Sequence, residues 1–350
     1  MASFIVTLVL VFIVIVSVCY PYGKKHLIKV IFEGKLVQPD IELAFSRIPS
    51  ASGRRHNPAT DINYNIYTDS LGSRVSLVGE EAPKSTDILV IGGSFSEGHG
   101  LENEQTFASL VEKKLNAKTM NFALGSYGTI HSFLILQRVS HLRPKLIIYG
   151  MISDHIERNV RPCIPAFVTG ICVGTPHFDI DNEGAPYIVP LSDFELEGVR
   201  LNIESAELSQ SKNFIFTVFF GLKLLWYKNL GQLQYREHSL GDEQKIMIFA
   251  SVLTNMKKQA DKIGAKLLVV YMPLMDMESA RPFDKREFLP EGIYFLDATI
   301  PLLKKMQATN QNLWVTKKDG HPSAVGHNVI AEEIIKSIKD NAIDYKNHMH

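Results

Sequence analysis

This chain is short of the features that announce a partner. Lysine plus arginine and aspartate plus glutamate are equal at 37 each, so the formal net charge is zero. No basic field tracks a phosphate backbone, and nucleic acid is not expected as a partner. Repeats and low-complexity tracts are absent. No Gly-Lys-Ser/Thr follows the first apolar strand, and the glycines do not fit a dinucleotide fingerprint, so neither a nucleotide nor any other cofactor is expected. Cysteine is scarce, at three residues. Cys163 and Cys172, in CIPAFVTGIC, would close a loop of about ten residues and, if oxidised, stabilise it by roughly 2–3 kcal/mol. Such a bridge persists only outside the reducing cytosol. Two unrelated buried thiols fit the same spacing.

What is present suffices for one large domain with appendages: 350 residues, 45% of them hydrophobic. Phe4 to Tyr20 is apolar except for Thr7 and Ser17, close to the roughly 20 residues that a bilayer core requires. A single transmembrane anchor over residues 1–22 is expected. The competing reading is a cleaved signal peptide, but no basic segment precedes the run and no small-x-small site follows it. Lys24, Lys25 and Lys29 after the run would hold the main domain in the cytoplasm; a Cys163–Cys172 bridge would place it outside. The adopted reading is a single-pass membrane protein with an extracytoplasmic main domain.

Residues 23–84 are polar, punctuated by Pro39, Pro49, Pro58 and Pro83, and read as an irregular juxtamembrane segment. The main domain is expected over 85–342. There ILVI (88–91), MNFAL (120–124), LIIYGM (146–151), KLLVVYMPL (266–274) and IYFLDAT (293–299) alternate with amphipathic stretches. That alternation predicts an α/β fold of about five parallel strands with helices on both faces. Ser323 is a good N-cap for a last helix. An insertion at about 160–240 breaks the pattern. HFDIDNEGAPYIV (177–189) reads as strand, turn and strand, and an EF-hand loop on Asp179, Asp181 and Gly184 fails because position twelve is Pro190. NFIFTVFFGLKLLWY (213–227) reads as a packing helix or lid, with membrane-surface contact as the alternative.

In an open parallel sheet, ligands bind outside the carboxyl ends of the strands. Ser94 follows the first strand, Gly125-Ser126-Tyr127-Gly128 the second, Ser153-Asp154-His155 the third, and Asp319-Gly320-His321 opens the last helix. A serine, an imidazole and a carboxylate beside glycine-rich backbone are the inventory of an acyl-transfer site. The imidazole removes the hydroxyl proton, the carboxylate holds its tautomer, and pre-positioned N–H groups receive the oxyanion.

Four blocks, GGSFSEGHGLENEQTF (92–107), NFALGSYGT (121–129), IIYGMISDHIERN (147–159) and DGHPSAVGH (319–327), resemble those of the SGNH, or GDSL-type, hydrolase superfamily, in its order. The resemblance covers roughly 85–340. It implies a flavodoxin-like three-layer α/β/α sandwich and a serine esterase or O-acyltransferase acting on an acylated carbohydrate or lipid. A non-catalytic glycan-binding or assembly protein on the same fold is the alternative. By this similarity Ser94 is the nucleophile, His321 the base and Asp319 the acid. Ser94, Ser126 or Gly125, and Ser153 supply the oxyanion hole, and no metal is expected. The chain departs from the pattern at Gly93, where the family has Asp, at Ser126 for Gly, at Ser153 for Asn, and in the single residue between Asp319 and His321. His155 and Arg158 are candidate substrate contacts. His327 reads as surface or packing, and His99 and His131 as background.

Overall fold

The computed structural model describes residues 13–21, 31–57, 61–165, 172–208, 214–231, 240–274, 282–316 and 319–346. Residues 31–75, expected to be irregular, fold instead into six strands: β1 (Ile31–Glu33), β2 (Val37–Asp40), β3 (Ala44–Arg47), β4 (Ser52–Asn57), β5 (Ile62–Thr68) and β6 (Arg74–Val75). β2 and β3 form a separate hairpin, whereas β1, β4, β5 and β6 pair antiparallel in that order. The physical reason is plain in β5, where Ile62, Tyr64, Ile66 and Thr68 are buried in alternation and pack with Leu36 and Ala51. β4, SGRRHN, carries no apolar side chain, so its strand character comes only from its neighbours.

β6 then joins the rest of the molecule through the pair Arg74↔Asn121. That junction makes one sheet of nine strands. Its other half is β7 (Ile88–Gly92), β8 (Thr119–Asn121), β9 (Leu146–Met151), β14 (Lys266–Tyr271) and β15 (Tyr294–Asp297), all parallel, in the order β8-β7-β9-β14-β15. Counted along the chain this is 2-1-3-4-5, the flavodoxin-like order.

All residues of β7 and β9 are buried, as strands covered on both faces must be. Leu89, Ile91, Ile147 and Val269 face a core closed by α3 (Thr129–Val139) and α7 (Asp242–Lys262). Ile88, Val90, Ile148 and Leu268 face the opposite core under α2 (Phe107–Leu115), α8 (Thr299–Thr309) and α9 (Ala324–Asp340). Each such side chain contributes about 1.5–3 kcal/mol.

Within the insertion, β10 (Cys163–Pro165) pairs antiparallel with β11 (Cys172–Gly174). The Cys163–Cys172 disulfide ties them, with Cα atoms 5.4 Å apart. β12 (His177–Ile180) and β13 (Pro186–Val189) form the expected hairpin, with Gly184 at φ +82° in its turn. Asp181 caps that turn by accepting the amides of Glu183 and Ala185 at 2.9 and 2.8 Å. α5 (Asp193–Leu208) and α6 (Phe214–Gly231) complete the region. Residues 13–21 are helical, and buried Cys19 lies against α6 at Gly221, where any Cβ would strike the Cys19 carbonyl. The expected anchor lies mostly outside the described residues. Among them, no helix is long and apolar enough to cross a membrane.

Toward the C-terminus, β16 (Trp314–Thr316) and β17 (Asp319–Pro322) make a small antiparallel pair ahead of α9. Ser323 caps the helix by accepting the Gly326 amide at 3.3 Å. Asp319 and His321 therefore sit on a short strand and not in the helix's first turn.

Candidate active site

β7 ends at Gly92, whose φ of +145° and contact with the Gly150 carbonyl admit no side chain. The chain turns at Gly93 into the single-turn helix α1 (Ser94–Glu97), so Ser94 stands half-buried at its start. A Cβ at Gly93 would lie 2.8 Å from His155 Nε2 and 3.0 Å from the Tyr127 carbonyl. That crowding accounts for Gly-Gly-Ser where an aspartate would stand in the resembled family.

The hydroxyl of Ser94 donates to His321 Nε2 at 2.7 Å. On the other side of the ring, His321 Nδ1 donates to Asp319 Oδ1 at 2.5 Å, and the His321 backbone N–H reaches the same oxygen at 3.0 Å. One intervening residue is enough, because β17 is extended there and the carboxylate folds back onto the ring. The ring also lies 4.9 Å from Phe95 and 4.4 Å from His99, centroid to centroid. Burial, with His99 close by, holds His321 below the ordinary histidine value of 6.5, although the Asp319 hydrogen bond pulls the other way. Burial would raise Asp319, but the hydrogen bonds from His321 and His99 outweigh it and keep the carboxyl well below the usual range. At neutral pH the site therefore holds a neutral imidazole between a hydroxyl and a carboxylate, the arrangement that lets a serine lose its proton as its oxygen forms a bond.

The expected oxyanion donors divide. Ser94 begins α1, where an amide has no helical partner. Ser126 adopts a left-handed backbone, φ +70°, and its amide has no hydrogen-bond partner among the described residues. Gly125 lies against Ser94, since a Cβ there would be 3.9 Å from Ser94 Cβ, but its N–H is already donated to Glu97 Oε2 at 2.8 Å. Gly125 is thus committed elsewhere. Ser153 is exposed at the end of β9, and no described contact brings it to Ser94.

The next helix, α4 (Asp154–Arg158), supplies the groups that do reach the turn. His155 is buried beneath Gly93, with Nδ1 bonded to the Tyr149 hydroxyl at 2.8 Å and Nε2 without a hydrogen-bond partner among the described residues. Burial drives it well below the histidine value and keeps it neutral. Arg158 donates Nε to Asp154 at 2.7 Å and Nη1 to the Tyr127 carbonyl at 2.9 Å, clamping the loop that carries Ser126.

Beneath Ser94 lies a cluster that sequence reasoning missed. Glu97, fully buried, accepts from Arg47 Nη2 at 3.0 Å, Arg55 Nη1 at 3.2 Å and the Gly125 amide. Burial opposes its ionisation, yet Arg55, Arg47 and Arg74 win and lower it to about 2. Arg74 donates to the carbonyls of Glu97, Gly98 and Leu101 and fixes the turn after α1. No local signal marks this set, although the period-two run INYNIYT in β5 could have revealed the strands that carry it.

His99, background on sequence grounds, lies in the site: its Nε2 is 3.5 Å from Asp319 Oδ2 and its Nδ1 3.1 Å from the Tyr64 hydroxyl. His99, Asp319 and His321 could converge on a cation, with donor atoms within 4.8 Å of one another. Both His321 nitrogens are already bonded, to Ser94 and Asp319, so ligation would cost one of those bonds. His131 and His327 are structural. The first accepts the Gly128 amide and meets the Thr175 hydroxyl; the second accepts the Phe107 amide at 2.9 Å and caps α2.

No protein-family model matches the chain, and no curated protein matches it. Among solved structures it is similar to TesA, 12% identical with a TM-score of 0.33 over 72% of this chain and 98% of that one. It is similar to a family two carbohydrate esterase from Clostridium thermocellum in complex with cellohexaose, at 11% and 0.38 over 90% and 89%. It also resembles the acetyl xylan esterase Est2A from the rumen bacterium Butyrivibrio proteoclasticus, at 10% and 0.36 over 90% and 88%. At such values neither activity nor substrate passes from those proteins to this one.

Proposed function

We propose that this chain is a serine ester hydrolase of the SGNH type, working on an acylated carbohydrate or lipid through a covalent acyl-enzyme. One observation carries the reading: the Ser94 hydroxyl, 227 residues from His321 in sequence, lies 2.7 Å from its Nε2, with Asp319 2.5 Å from the other nitrogen. Ser94 oxygen attacks the acyl carbon while its proton passes to His321, and Asp319 stabilises the imidazolium. The oxyanion is received by the N–H groups of Ser94 and Ser126, each such donor being worth about 3–4 kcal/mol in the transition state. His321 then returns the proton to the departing alcohol oxygen. Water, activated by the same imidazole, releases the acid; a sugar hydroxyl in place of water would make the protein an O-acyltransferase. Arg158, half-buried beside Gly93, is the proposed substrate contact, whereas His155, buried beneath Gly93, supports the turn from within.

The apolar run Phe4–Tyr20 supports attachment to a membrane, and the Cys163–Cys172 bridge supports an extracytoplasmic domain. Inactivity of a C-terminal alkaline phosphatase fusion would refute that topology. For the chemistry, a fluorophosphonate should label Ser94, and p-nitrophenyl acetate should give a product burst that Ser94→Ala abolishes. A burst that survives the substitution removes the reading. Absence of labelling together with measurable glycan binding would favour a non-catalytic protein.

A further inference from the structure

The carboxylate of Asp319 has two oxygens, and His321 uses only Oδ1. Oδ2 faces His99 Nε2 at 3.5 Å. His99 is itself held from behind, because the Tyr64 hydroxyl lies 3.1 Å from its Nδ1 and Tyr64 accepts from Arg55 Nη1 at 3.2 Å. Donor logic sets the direction of the whole chain. Arg55 can only donate, so the Tyr64 oxygen accepts and its proton goes to His99 Nδ1. His99 then carries its own proton on Nε2, pointing at Asp319. Arg55 is fixed in turn by fully buried Glu97.

We propose that His99 is a positioning residue for the triad: it holds the second oxygen of Asp319 and so couples the antiparallel strands β4 and β5, through Tyr64, to the orientation of His321. This rests on the acyl-enzyme reading above. The chemical reason is that a carboxylate held at one oxygen can swing about its Cβ–Cγ bond, whereas one held at both presents Oδ1 to the ring in a fixed direction. The groups facing the two imidazoles are Asp319 from β17, Glu97 from α1, Tyr64 from β5 and the arginines Arg55 and Arg74 from β4 and β6. Glu97 and Asp319 favour a charged His321, while His99 disfavours it.

The test compares wild type with His99→Phe, His99→Gln and Tyr64→Phe in the full chain, each checked for an unchanged melting curve. In wild type the acid limb of kcat/KM lies below 6.5, because His321 must be neutral to act and sits below that value. His99→Phe should lower kcat about ten- to a hundredfold with little change in KM. It should also move the acid limb to higher pH, since Asp319, relieved of a second donor, holds the imidazolium more strongly. His99→Gln, whose amide can still donate to Oδ2, should recover part of kcat, and Tyr64→Phe should show a smaller loss. Independently of turnover, the low-field proton resonance of His321 Nδ1–H should shift or broaden in His99→Phe. A His99→Phe protein with wild-type kcat, acid limb and resonance overturns the inference. If wild-type Ser94 takes no fluorophosphonate label, the acyl-enzyme reading has failed first, and the inference as stated falls with it.

Discussion

The two halves of the central sheet are built on opposite rules. β7, β9 and β14 are parallel and almost wholly apolar, buried on both faces under helices, and the segments after β7, β8 and β9 carry Ser94, Ser126 and Arg158. β4, β5 and β6 are antiparallel and rich in polar side chains, and they push Arg55, Tyr64 and Arg74 under the same turn. The apolar half presents the reacting groups, and the polar half sets the field and the hydrogen bonds beneath them. A rigid strand end suits a nucleophile, while a buried carboxylate such as Glu97 needs the dense donors that only the polar strands offer.

Several substitutions would break or sharpen that contrast. The largest effect should come from the apolar half: Ser94→Ala is expected to cut turnover by about four orders of magnitude with unchanged stability, as steady-state kinetics and urea unfolding would report. Next is the junction. Glu97→Ala should destabilise the fold by about 3–5 kcal/mol, because it strands buried arginines; if the loss is negligible, the polar half does not support the site. The same carboxyl makes stability depend on pH. With its folded value lowered from 4.5 to about 2, its contribution is full above 4.5 and lost as pH falls toward 2, so Glu97→Gln should flatten the acid-unfolding curve in that window. Ile148→Ala in β9 and Ile66→Ala in β5 should each cost about 2–5 kcal/mol, within one unfolding transition if the sheet is one cooperative unit. Two transitions would separate the halves. Smallest, replacing Cys163 and Cys172 by serine should cost roughly 2–3 kcal/mol, and less if the hairpin opens locally.

The parallel half was legible before any coordinates. ILVI, LIIYGM and KLLVVY are apolar runs with strand length, and Ser94, Asp319 and His321 were drawn together by the rule that ligands gather at carboxyl strand ends. Strand β5 carried a readable alternation that the surrounding prolines and charges hid, and SGRRHN in β4 carried none. His99 could not be found, since its two partners lie 35 and 220 positions away. Ser153, the other expected donor, is exposed at the end of β9 with no described contact to Ser94.

The sequence by itself determined where apolar runs must become strands, and which hydroxyl, imidazole and carboxylate were available. Periodicity, turn geometry and side-chain chemistry are local properties, and a linear text holds them. Only the tertiary structure decided that four polar strands extend the sheet, that Glu97 takes the Gly125 amide, and that His99 backs Asp319. Those outcomes depend on which distant donors meet which buried acceptors, a question settled by packing once the two halves share one sheet.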